Sequence, residues 1–232
     1  MGRNGYNLGR CIGSAMSTYI DRPNLHPKGF DQQLDLPYGL RVAEVRAALE
    51  DVYDFLYNVN TFLTRKGWER LEETLMAATF SGVISEMLVQ SISKQSKSVV
   101  RNHYHNGRPD LVPRGHYEND SVLQGEEGIE VKASRHTGGW QGHNVESGWI
   151  AIFHHQVDLD TEPVEDRQPT KFARVLVAQL DEVDWSFSGR REGSRRTITA
   201  SILRSGMEKL LARPLYLDPT YEPRRRSVRA RQ

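Results

Sequence analysis

From Val42 onward the apolar residues recur at Val42, Val45, Leu49, Val52, Leu56, Val59 and Leu63. These alternating steps of three and four place them on one stripe of a helix. The spacing predicts a helix that Gly67 ends. The stripe is either a face packed into the core or, because it holds its period for three heptads, a seam for a partner helix in a dimer. A second helix is expected from about Trp68 to Ser93. Between Glu73 and Lys94 that helix reads TLMAATFSGVISEMLVQSIS, and Glu86 is the only charged residue in those twenty positions. An isolated carboxylate in such an apolar run calls for an explanation.

Beyond Val99 the chain changes to shorter runs rich in β-branched and aromatic residues, punctuated by Gly, Pro and Asn. Such runs predict strands near Gly128–Ser134, Trp149–Val157 and Phe172–Leu180, with a weaker one near Thr197–Leu203. A last helix is expected over Ser205–Ala212, before Pro214. The first part of the chain holds Pro23, Pro27, Pro37 and several glycines without a sustained period, which reads as loop with one short helix around Ile12–Ile20. Helices first, then a mixed sheet and a late helix, indicate an α/β fold of the α+β layered kind, a central mixed sheet flanked by helices.

The length of 232 residues, with no low-complexity spacer, suits one domain. Within it, 1–40 is an irregular N-terminal segment, 41–93 a helical part, 99–213 a sheet core and 214–232 a basic tail. Hydrophobic residues make up 38% and charged residues 26%, enough for a buried core beneath a water-compatible surface. One cysteine, Cys11, builds neither an internal disulfide nor a zinc cluster, so a cytoplasmic location is expected. No run approaches the roughly 18 apolar residues of a membrane span, and the first residues lack a signal-peptide core, so no membrane partner is expected. The net charge of +1 conceals Arg224, Arg225, Arg226, Arg229 and Arg231 crowded at the end, a tail that is either simply solvated or phosphate-binding.

Candidate chemistry concentrates between Asn106 and Arg135. Within GIEVKAS, a period of two puts Ile129, Val131 and Ala133 on one face of a strand and Glu130 and Lys132 on the other. Such a pair is by itself an ordinary surface ion pair. Pro109-Asp110 precedes Glu130 by twenty positions, in a turn-forming context able to bring Asp110 to the start of a neighbouring strand.

Pro109, Asp110, Glu130 and Lys132, in that order and spacing, resemble the PD-(D/E)xK nuclease superfamily, and the resemblance spans roughly Phe80 to Val157. It implies the family's fold and a Mg²⁺-dependent hydrolysis of double-stranded DNA. It further implies Asp110 and Glu130 as metal ligands, helped by the main-chain carbonyl of Val131, and Lys132 as the group that orients the attacking water. Members commonly add a glutamate from a preceding helix, and Glu86 stands where that residue belongs. Among members, a type II restriction enzyme acting as a homodimer on a palindromic site fits a chain of this size best. A repair, resolvase or mobile-element nuclease, or a DNA-binding protein that does not cut, is the alternative.

Two polar segments suit DNA contact. HTGGWQGHNVES, from His136 to Ser147, offers Gln141, His143 and Asn144 to base edges, or is a plain exposed loop. SGRREGSRRT carries Arg190, Arg191, Arg195 and Arg196 between two expected strands, as a hairpin tip suited to phosphate or guanine. His103, His105 and the His154-His155 pair lack cysteines and a recognisable third ligand, so they are read as structural or DNA-facing. With no GxxxxGK[ST] loop, no nucleotide cofactor is expected.

Overall fold

The computed structural model describes residues 20–138, 140–142, 147–187 and 200–222. Helix α1 (Val42–Arg65), the single turn α2 (Leu71–Thr74) and α3 (Ala77–Gln95) come first. Strands β1 (Val99–Arg101), β2 (Leu111–Pro113), β3 (Ile129–Ser134), β4 (Gln141–Gly142), β5 (Gly148–Gln156), β6 (Lys171–Leu180), β7 (Trp185–Phe187) and β8 (Ala200–Ile202) follow, then α4 (Arg204–Ala212) and β9 (Tyr216–Leu217). Six strands form one sheet in the order β1-β2-β3-β5-β6-β9, and β4-β8-β7 form a second, smaller one. The β3–β5 pair is parallel and the other neighbours in the large sheet are antiparallel. The α+β architecture with a mixed central sheet is as the pattern predicts.

The two faces of the large sheet are covered differently. Leu111, Ile129, Val131, Ala151, Phe153 and Val175 pack with the buried stripe of α1 and with Phe80, Ile84, Leu88 and Ile92 of α3. The spacing of the α3 residues, four and then eight and twelve positions after Phe80, holds one helical face against the strands. Ile150, Ile152, Leu176, Ala178 and Leu180 point the other way and pack with Trp185, Ala200, Ile202 and Leu210 of the small sheet and α4. Each fully buried Leu, Ile or Phe stabilises by about 1.5–3 kcal/mol relative to exposure. Glu130 and Lys132 sit beside Ile150 and Ile152 in register, and so occupy the face away from α1 and α3.

Helix α1 matches the apolar stripe, with Val45, Leu49, Val52 and Leu56 buried. This face is used within the chain. The single helix expected over Trp68–Ser93 is broken. Leu75 and Met76 adopt extended backbone between α2 and α3. The cause is a buried polar network that the local pattern does not contain. Asn60 accepts the Leu71 N–H at 2.8 Å and donates to Glu72 at 2.8 Å. Glu73 pairs with Arg70 at 2.9 Å and with Arg167 at 3.0 Å. Charges that leave water must be paired, and pairing with residues 60 and 167 turns the chain where propensity alone would continue a helix.

Irregular backbone does not leave the N-terminal segment outside the fold: Leu25, Phe30, Leu36 and Leu40 are buried in the α-side core. Phe30 bridges to Tyr216 and its ring lies 4.6 Å from the tyrosine ring. The part of the expected tail at 214–222 likewise belongs to the fold, since Leu215 and Tyr216 are fully buried. The tail arginines, the short helix expected at 12–20 up to residue 19, and residues 197–199 of the weaker strand lie outside the described residues.

His155 on β5 is buried edge-on to Phe80, with ring centroids 5.7 Å apart. Neither of its ring nitrogens has a hydrogen-bond partner among the described residues. Burial pushes its pKa down to about 3, with the neighbouring His154 acting in the same direction and the Phe153 backbone opposing in part. The unfolded chain takes up this proton below about pH 6.5 while the folded chain does not, so the stability His155 permits at neutral pH is lost as the pH falls from about 6.5 towards 3. Urea unfolding at pH 7.5 and 5.5 is expected to show a smaller loss in His155→Leu than in the wild type, by up to about 1.4 kcal/mol per pH unit. Identical losses in the two proteins would contradict this reading of the histidine.

Candidate active site

The site is built where β2 and β3 part. They meet at a single register pair, Leu111 with Ile129, and Asp110 stands one residue before it. Beyond that pair β3 has no strand neighbour on this side among the described residues, so its outward N–H groups need other acceptors. Val131 donates to Asp110 Oδ2 at 2.8 Å, and Ala133 donates to Ser85 Oγ on α3 at 2.8 Å. Because the N–H and C=O of one strand residue point to the same side, the Val131 carbonyl emerges at the edge that Asp110 occupies.

The connection from β1 to β3 is tied down from within. Asn102 is buried. Its side-chain amide donates to the Pro109 carbonyl at 3.0 Å and the Val122 carbonyl at 2.8 Å, and its side-chain oxygen accepts from Tyr104 and Val122. Its own N–H donates to the Asp110 carbonyl at 2.9 Å. On the far side, the Tyr38 hydroxyl donates to Glu127 at 2.8 Å and accepts the Gly128 N–H at 2.9 Å. Gly128 has φ +150°, and a Cβ there would lie 2.2 Å from Pro109 Cγ and 2.3 Å from the Leu111 carbonyl oxygen. Only glycine lets β3 approach the Pro109-Asp110 corner this closely.

Glu130 and Lys132 are joined by a hydrogen bond of 3.0 Å, and their side chains are 15% and 19% exposed, sheltered yet reachable. Burial and the negative charge of Glu130 push the Asp110 carboxyl up to about 7, against the Val131 hydrogen bond and the Lys132 charge; Glu86 adds to the rise. Two carboxylates thus share a place with less positive charge than they need. Among the described residues no group of three or more His, Cys, Asp or Glu side chains is arranged to hold a metal ion. Two carboxylates and a main-chain carbonyl nevertheless fit Mg²⁺, which takes one or two protein carboxylates and fills its other positions with water and substrate phosphate.

The structure brings Asp110, Glu130, Lys132 and the Val131 backbone together, and places Glu86 differently. Its side chain is 68% exposed and pairs with Arg101 of β1 at 2.9 Å, so it reaches Asp110 only through its field. Gln141 opens β4 opposite Ser201 of β8. Strands β7 and β8, on either side of residues 188–199, pair antiparallel, but His143, Asn144, Arg190, Arg191, Arg195 and Arg196 lie outside the described residues. His103 is bonded to the Asn119 carbonyl at 2.9 Å, and His154 is buried with its pKa pushed down to about 4, chiefly by burial. Asn102, Ser85 and Tyr38 were invisible to motif reading, since each acts through a long-range contact with backbone. A glycine directly before Ile129 was the only local signal for the tight corner.

Comparison of the chain with known protein families, curated proteins and solved structures finds no match.

The corner itself can be tested without any assay of function. Gly128→Ala is expected to destabilise the protein by about 1–3 kcal/mol or more, from backbone strain and the collision with Pro109. Chemical denaturation of the variant reads this directly, and wild-type stability would show that β3 and the Pro109-Asp110 corner are not held in contact as described.

Proposed function

We propose that this chain is a Mg²⁺-dependent endonuclease of the PD-(D/E)xK type that hydrolyses double-stranded DNA, acting as a homodimeric type II restriction enzyme. The observation that carries the reading is the meeting of Asp110 with the β3 edge at Val131, beside a Glu130–Lys132 pair on the strand's other face. Carboxylates alone would repel a phosphodiester. Beside a lysine and a place for a divalent cation, they suit its hydrolysis.

Asp110 and Glu130, with the Val131 carbonyl, would hold the ion. When bound, it supplies positive charge against the scissile phosphate and an acidified water. Asp110 is kept in place by the Val131 N–H and by the Asn102-held loop, so its carboxylate needs no rearrangement to act. Lys132 shares a strand face with Glu130, which orients its ammonium group. From there it would position a water for in-line attack and stabilise the hydroxide that remains once the water's proton has passed to bulk solvent. The leaving 3′ oxygen takes its proton from solvent. Two such sites related by a two-fold axis cut both strands of a palindrome, which is why a homodimer belongs to the reading.

Genome-scale DNA incubated with the purified protein is expected to be cut in Mg²⁺ and left intact in EDTA, with fragment ends that share one short symmetric sequence. The same preparation should sediment as a dimer on DNA. Asp110→Ala and Lys132→Ala are each expected to lose about 10²–10⁴-fold or more in cleavage rate while DNA binding survives. Wild-type cleavage by either variant would overturn the site assignment. Fragment ends with no common sequence would replace a restriction enzyme with a structure-directed nuclease of repair, resolvase or mobile-element type.

A further inference from the structure

A groove of about 870 Å³ runs from Lys132 between α3 and the connection that follows β3. One wall carries Lys132, Arg135 and His136; the other is made of small residues of α3, among them Ser81, Gly82 and Ser85. No acidic residue is found among the described residues that line it. Arg135 forms no ion pair among the described residues, so its charge is open to an outside anion. The Ser85 hydroxyl accepts the Ala133 N–H and keeps its own hydrogen to donate. Gly82 leaves the α3 wall low: a Cβ built there meets nothing within 4 Å.

A second, independent feature lies beneath the same connection. Arg174 of β6 is only 9% exposed and has no acidic partner among the described residues. It donates to the Thr137 carbonyl and lies 5.7 Å from the centre of the Trp140 ring, while its Nε has no hydrogen-bond partner among the described residues. Holding a buried guanidinium without a counter-charge is unfavourable. An anion drawn to the groove above it would offset that penalty, because charge at this depth is poorly screened by solvent.

We infer that this groove seats the phosphate backbone of the DNA strand next to the cleavage position, with Arg135 and His136 as phosphate contacts and the low α3 wall at Gly82 giving the strand room. The inference rests on the proposed DNA substrate and adds the path that the strand takes away from Lys132. Arg174 acts as a positioning residue, through Thr137 and Trp140. Arg135 contributes no sequence preference, because a phosphate contact is the same at every base pair.

Binding of a random-sequence duplex of about 25 base pairs, roughly two turns, is measured by fluorescence anisotropy in EDTA over a series of salt concentrations. Arg135→Ala is expected to lower the slope of log affinity against log salt by about one charge. Gly82→Leu is expected to weaken binding at least tenfold by filling the groove, with no fall in the unfolding midpoint, since Leu is the better helix former. Should Gly82→Leu not fold, Ser81→Asp is read in its place, because it sets a negative charge in the same wall. An unchanged slope in Arg135→Ala, unchanged affinity in the wall variant, or no duplex binding by the wild type overturns the inference. Since EDTA removes cleavage from the measurement, Mg²⁺-dependent cutting that persists alongside unchanged binding in the variants would discard the groove and leave the proposed function standing.

Discussion

The hydrogen bond from the Val131 N–H to Asp110 fixes where everything else in the site must be. Strands β2 and β3 share one register pair and then separate, and a strand edge left open in a largely buried place must satisfy its amides with something other than a strand. Here one amide is satisfied by a carboxylate and the next by the Ser85 hydroxyl. The parting of the strands therefore leaves the β3 edge open and, by the same hydrogen bond, sets an acid against it. A second acid, Glu130, follows one residue from the parting on β3, so the electrostatic strain on Asp110 is a consequence of the sheet's topology.

The rest of the molecule keeps that parting in place. Helix α3 packs on the far face of β3 through Phe80, Ile84 and Leu88, and its Ser85 reaches over the edge to Ala133. Asn102 closes the loop that carries Asp110 with four side-chain hydrogen bonds, each worth about 0.5–1.5 kcal/mol net. Gly128 permits contact between the corner and the strand. The small sheet and α4 cover Ile150 and Ile152, on the face that carries Glu130 and Lys132, so that face is core at β5 and open at β3. A polar pair can stand at the border because the covering layer stops there.

Periodicity made α1, β3, β5, β6 and α4 legible, since each is long enough to express its period against a core. The break at Leu75 and Met76 was not legible, because its cause is the pairing of Arg70, Glu72 and Glu73 with residues 60, 167 and 170. Strands of two or three residues such as β1, β2 and β9 exist through their neighbours and show no alternation of their own. At the site, Asp110, Glu130 and Lys132 could be singled out from spacing, and their proximity followed once two strands were placed side by side. Glu86 stood out because its surroundings in the chain are apolar, yet helix geometry puts it on the exposed side of α3 with Arg101. Asn102 and Ser85 carried no signal, because a residue that holds backbone from a distance looks like any other polar residue in the chain.

The proposed Mg²⁺ site rests on an excess of negative charge at Asp110 and Glu130, beside Lys132 within hydrogen-bonding distance of Glu130, a setting that suits a hard divalent cation. Mn²⁺ provides a spectroscopic stand-in for Mg²⁺, and its binding to the wild type and to Asp110→Asn can be followed by electron paramagnetic resonance. Saturable binding by the wild type and an affinity lower by about tenfold or more in the variant are expected of the proposed site, since removal of one of two protein carboxylates takes away both a ligand and a charge. Equal affinities in the two proteins would contradict it.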